Sequence, residues 1–181
     1  MVEILIFFTF FIDILLTEQN ICYEGICIPE NYSKFERPLL KQPLEVEMIF
    51  TEIQIMEIDD MKSIIKMYLY MEYEWQDPRI LGPKELPEYI PLNRNFKSLL
   101  WRPDFYIEDL HSSERQLYID SVESTEHLWL GNDSYVALDL GFRCSVTCKM
   151  RFDSYPFDSH KCYLKIASWS FNTDSITLSV R

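Results

Sequence analysis

Alternation of apolar and polar residues dominates this chain, and its period is that of strands. Over residues 135–148 the apolar series Val136, Leu138, Leu140, Phe142, Cys144, Val146 and Cys148 interleaves with Tyr135, Ala137, Asp139, Gly141, Arg143, Ser145 and Thr147. One series should face a core and the other point away from it. IIKMYLYMEYEW predicts a second strand, with Ile65, Met67, Leu69, Met71, Tyr73 and Trp75 inward and Lys66, Tyr68, Tyr70, Glu72 and Glu74 outward. Tyrosines on the outward face suit a neighbouring subunit or a ligand, although a single exposed Tyr is also ordinary. LEVEMIF alternates from Leu44 to Phe50, and the apolar phase then moves to Ile53 and Ile55. A phase change of that kind predicts a bulge or a change of packing partner.

Shorter strand-like pieces follow around Leu99–Trp101, Tyr106–Ile107 and Leu117–Val122, and a last strand carries Ile176, Leu178 and Val180. Residues 76–95 hold Pro78, Pro83, Pro87 and Pro91 and read as a long connection. SWSFNTD reads as a loop, and no helix longer than a few turns is expected outside the N-terminal apolar run. The class is therefore all-β, most simply a sandwich, and 181 residues suffice for one such domain.

Composition adds the compartment. The apolar run from Ile4 to Leu16, broken by Asp13, fits the hydrophobic region of a signal peptide and is too short to span a bilayer comfortably. Residues 1–20 are read as a leader, 21–43 as an N-terminal segment with room for a short helix, and 44–181 as a partial sandwich. Two sequons, at Asn31 and Asn132, and five cysteines agree with a secreted or extracellular domain. Cys22 and Cys27 are expected to close a local disulfide, since no further soft ligands stand near them for a metal. Cys144 falls on the apolar face as a buried thiol. No second apolar run reaches eighteen residues, so no membrane span is expected in the mature chain.

A formal net charge of -12 argues against a nucleic-acid partner, which would need a basic face. The three histidines, His111, His127 and His160, lie on different segments, and no GxSxG, HExxH or glycine-rich phosphate loop occurs. Catalysis, a metal site and a cofactor are accordingly not expected.

Cys148 to Cys162, CKMRFDSYPFDSHKC, brackets thirteen residues between two strand-like stretches. A disulfide closing such a loop contributes about 3 kcal/mol, which a plain secretory staple would also explain. The segment, however, resembles at every signature position the loop that names the Cys-loop receptors, the pentameric neurotransmitter-gated ion channels. Trp101-Arg102-Pro103-Asp104 is similar to that family's Trp-x-Pro-Asp, and Trp75-Gln76-Asp77-Pro78-Arg79 to its Trp-x-Asp-Pro-Arg. All three occur in the family's order, and the resemblance covers roughly residues 40–181.

The resemblance implies a twisted, immunoglobulin-like β-sandwich, incomplete at its C-terminus, that assembles as a homo- or heteropentamer and binds a small-molecule transmitter between subunits. It places Tyr70, Glu72 and Asp139 on the complementary side, and Tyr106, Glu108, Trp169 and Phe171 on the principal side. Trp75, Asp77, Trp101, Pro103, Asp104, Pro156 and Asp158 become structural motif positions. The disulfide loop and the turn at Ile58–Asp60 would face the membrane and pass motion to a pore, with Tyr155–Pro156 a candidate cis bond. Receptors for amino-acid transmitters carry an arginine where this chain has Glu72, which favours an amine or protons as ligand. In a full-length subunit the domain would sit outside the plasma membrane, which it would meet only through transmembrane helices absent from this sequence. The alternative is a soluble secreted binding domain that resembles the acetylcholine-binding proteins and gates nothing.

Overall fold

The computed structural model describes residues 20–83, 90–92, 94–110 and 125–181. Residues 1–19 of the expected leader, Leu117–Val122 and His111 lie outside them. Ten strands are described: β1 Ile21–Tyr23, β2 Ile26–Ile28, β3 Leu44–Asp59, β4 Ile64–Gln76, β5 Ile90–Pro91, β6 Phe105–Ile107, β7 Thr125–Leu130, β8 Tyr135–Thr147, β9 Ile166–Ser168 and β10 Ile176–Val180. One turn of helix, α1 Arg94–Lys97, precedes β6.

The main layer is a six-stranded sheet in the order β10-β3-β4-β8-β7-β5, and β6 with β9 forms a two-stranded piece of a second layer. The layers meet through aromatic rings. Phe105 of β6 packs against Tyr73 of β4 with centroids 5.2 Å apart, and Trp101 meets Trp75 edge-on at 6.0 Å. The inward series of β4 is buried along its length, as its alternation predicts, and it joins the apolar series of β8 in one core.

The phase change in β3 is a register shift between Phe50 and Glu52, and a second shift separates Ile55 from Glu57. Ile53, Ile55 and Ile58 are thereby paired with Leu69, Met67 and Ile65, which keeps them on the core side of the sheet. They nevertheless remain 57%, 59% and 56% exposed. β8 departs from a simple two-faced strand. Ala137 and Ser145 are buried together with the apolar series, since these short side chains lie between taller register neighbours such as Glu74 and Lys66 on β4.

Residues 21–28 form a β-hairpin. Glu24 and Gly25 take φ of 48° and 83°, the left-handed pair that a tight hairpin turn requires, and Cys22 and Cys27 are joined across it. Leu99–Trp101 is a turn, not a strand. The amide of Leu99 donates to Phe96 O (3.0 Å) and that of Trp101 to the Tyr32 hydroxyl (2.9 Å), so neither is available to a ladder.

Candidate functional site

A buried ion pair fixes the frame on which the site rests. Asp77, at the end of β4, is fully buried. The Arg79 guanidinium donates to both its oxygens, Nε to Oδ1 at 2.8 Å and Nη2 to Oδ2 at 2.7 Å, a fork geometry that suits a carboxylate. The Tyr32 hydroxyl donates to Oδ2 at 2.8 Å and in turn accepts the Trp101 amide. Burial, reinforced by the Asp77 charge, holds the Tyr32 hydroxyl well above the ordinary phenol range. Arg79 also lies 4.3 Å over the Tyr32 ring and donates to the carbonyls of Ser33 and Glu36. The Trp-x-Asp-Pro-Arg segment thus ties residues 32–36, the end of β4 and Trp101 into one rigid corner.

From that corner the chain enters the Trp-x-Pro-Asp segment. Asp104 accepts a hydrogen bond from Ser168 Oγ at 2.6 Å and from the Ser170 amide at 2.9 Å, while its own carbonyl accepts the Trp169 amide at 3.2 Å. Ser168 Oγ accepts the Phe171 amide at 3.0 Å. These bonds hold residues 168–171 in one conformation beside β6, and they decide where Trp169 sits. Its ring, 66% exposed, stands edge-on to Tyr106 with centroids 5.3 Å apart. Phe171, by contrast, turns inward and packs on Trp101 at 6.1 Å. Glu108 lies 3.8 Å from the Lys165 ammonium, which is nearer to Asp109 at 3.3 Å.

The second group of expected residues lies on the other sheet. Tyr70, Glu72 and Asp139 project from the face of the six-stranded sheet that turns away from the core, where Glu72 and Asp139 are directly opposed in register. The Trp129 indole donates to Asp139 Oδ2 at 2.9 Å. Burial raises the Tyr70 hydroxyl above its usual value, helped by Asp139. Glu72 is pushed up from 4.5 to about 7, first by burial, then by the charges of Asp139 and Glu74. Tyr106 and Trp169 are thus brought together, as are Tyr70, Glu72 and Asp139, but the two groups belong to different sheets.

At one end of the molecule Cys148 and Cys162 are joined. The Cys148 amide donates to Ser63 O at 2.8 Å, which sets the loop beside the β3–β4 turn, and the Thr147 amide donates to Asp109 O at 3.1 Å. Within the loop His160 Nε2 lies 2.8 Å from Asp158 Oδ2, the Tyr155–Pro156 bond is cis, and Tyr155 and Phe157 are exposed. Asn31 and Asn132 are both exposed. Cys144 is a buried thiol outside the two disulfides. Among the described residues no group of three or more acidic, histidine or cysteine side chains could hold a metal ion, and no helix is long and apolar enough to cross a membrane.

Sequence reasoning missed Tyr32, Arg79, Ser168 and Trp129. The last arginine of its motif was the available signal for the first pair. A serine on each side of Trp169 was the signal for the clamp.

Comparison with known proteins agrees with this architecture. The family model for the neurotransmitter-gated ion-channel ligand binding domain matches residues 27–181. Ligand-gated ion channel 4 of Caenorhabditis elegans is 32% identical over 173 residues, covering 91% of this chain and 25% of its own length. Neuronal acetylcholine receptor subunit alpha-9-II of Oncorhynchus mykiss is 25% identical, covering 83% of this chain and 27% of its own length. The gamma-aminobutyric acid receptor subunit pi of Rattus norvegicus is also 25% identical, covering 82% of this chain and 33% of its own length. The chain spans between a quarter and a third of these relatives.

Proposed function

This chain belongs to the neurotransmitter-gated ion-channel ligand-binding-domain family, and on that premise we propose that it is the extracellular transmitter-binding part of a pentameric channel subunit. The observation that carries the reading is the Tyr106–Trp169 pair, its exposed tryptophan held by the Asp104 clamp, while its chemical counterpart, Tyr70 with Glu72 and Asp139, lies on the other sheet. Two half-sites on one chain form a whole site when the principal half of one copy meets the complementary half of the next.

The ligand that suits both halves is a cationic amine. Aromatic faces attract an ammonium group by about 0.5–2 kcal/mol, and the opposite half supplies carboxylates, with no guanidinium at Glu72 to hold a ligand's carboxylate. Entry of the ligand would press on residues 168–171 and on β6. The bonds from Glu108 to Lys165 O and from Thr147 to Asp109 O link that region to the strand leading into the Cys148–Cys162 loop. That link is the route by which binding would reach a pore.

Residues 1–20 act as the secretory leader in this reading. The two disulfides support it, since they need an oxidising compartment, and the exposed Asn31 and Asn132 would then be glycan acceptors. Binding of acetylcholine and of γ-aminobutyrate to the secreted, assembled chain tests the proposal. Acetylcholine should bind and Trp169→Ala should weaken it about tenfold, within the range for one cation–aromatic contact. Tight binding of γ-aminobutyrate that ignores Trp169→Ala would overturn it.

A further inference from the structure

The outward face of β3, β4 and β8 concentrates like charge. Glu72 stands opposite Asp139 across β4 and β8, and Glu74 stands opposite Glu47 across β3 and β4. Like charges directly opposed across a ladder repel, and water is partly withdrawn from Glu72, which is half-buried. The neighbours of Glu72 do little to relieve it. On β3 its register partner is the apolar Ile49, with Glu52 one step further along opposite Tyr70. On β4 itself Glu74 shares a hydrogen bond with it. The Arg181 guanidinium acts favourably on it but lies 3.4 Å from Glu47, which competes for that charge. Arg143 of β8 is opposite Tyr68, two register pairs beyond Tyr70.

Asp139 is placed differently. It accepts the Trp129 indole N–H at 2.9 Å, and its β7 register partner is His127.

We propose that Glu72, which faces Asp139 across the ladder and is hydrogen-bonded to Glu74, takes up a proton, so that the negative charge of this face, and with it the attraction for a cationic ligand, is set by protons. Protonated, Glu72 is a hydrogen-bond donor and the face carries one negative charge fewer than when Glu72 is deprotonated. The upward displacement of the Glu72 carboxyl to about 7 agrees with this. The consequence for a ligand rests on the complementary half-site assigned above, whereas the titration itself does not.

The test is a carboxyl-carbon NMR titration of the labelled, secreted chain. One glutamate signal, identified by its loss in Glu72→Gln, should titrate near 7. Its midpoint should fall by at least a full pH unit in Asp139→Asn, fall in Glu74→Gln, and stay in place in His127→Gln. A midpoint in the ordinary range of about 4–5, or one that follows His127→Gln and ignores Asp139→Asn, overturns the proposal; the parent midpoint decides alone if a variant does not fold. Tetramethylammonium binding at pH 6 and pH 8 separates the two readings. Tighter binding at pH 8, with the difference abolished in Glu72→Gln, supports both. No binding at either pH, with a midpoint near 7, overturns the amine site and leaves the protonation of Glu72 standing.

Discussion

At the scale of single residues, two aspartates do most of the positioning, and both act on segments far away in the chain. Asp104 fastens Ser168, 64 residues further on, and Asp77 fastens Tyr32, 45 residues back. Asp104→Ala removes the acceptor for Ser168 Oγ and the Ser170 amide and should let Trp169 swing free. Iodide quenching of its fluorescence should increase, and acetylcholine binding should weaken about tenfold, the effect of losing roughly 1.4 kcal/mol of ordering. Arg79→Ala leaves a buried carboxylate with the Tyr32 hydroxyl and the residue 79 amide as its remaining donors. Removing one partner of a buried pair costs about 3–5 kcal/mol, so denaturant unfolding should shift by an amount near that range. Both aspartates could be picked out in the sequence because they sit in motifs. Arg79 stands in the same motif as Asp77, but which distant tyrosine or serine each aspartate holds could not be read, because a hydrogen bond across 45 or 64 residues is not set by local spacing.

At the scale of elements, alternation was informative wherever one side of a strand packs and the other does not. β4 kept its inward series buried, and the phase change in β3 became a bulge at Thr51. β8 was harder to read, since burial on both faces depends on the height of its register neighbours, which its own residues do not encode. The β4–β8 pairing also makes stability depend on pH. Glu72 holds its proton more tightly folded than unfolded, so the folded chain carries more protons between 4.5 and about 7. Stability from this group is therefore greatest below 4.5, falls as pH rises through that window, and levels off above it. Thermal melts of Glu72→Gln should lack that decline, and at pH 8 the variant should melt higher than the parent.

At the scale of the whole molecule, the sheets, the corner at Asp77 and the disulfide loop divide the labour between holding shape and presenting the two proposed half-sites. The loop hangs from the β3–β4 turn by the Cys148 amide, and a covalent closure of this length contributes about 3 kcal/mol. Cys148→Ser should abolish secretion and assembly; medium from expressing cells, run on a native gel, would show it. The sequence by itself determined the long strands β3, β4 and β8, the phase change in β3, the paired cysteines and the ordered motifs of the family, because strand period and motif spacing are local properties of the chain. Only the tertiary structure decided that Trp169 points outward while Phe171 turns into the core, and that Glu72 stands opposite Asp139. Both outcomes depend on register and on which distant side chain accepts a hydrogen bond, and neither exists until the sheets have come together.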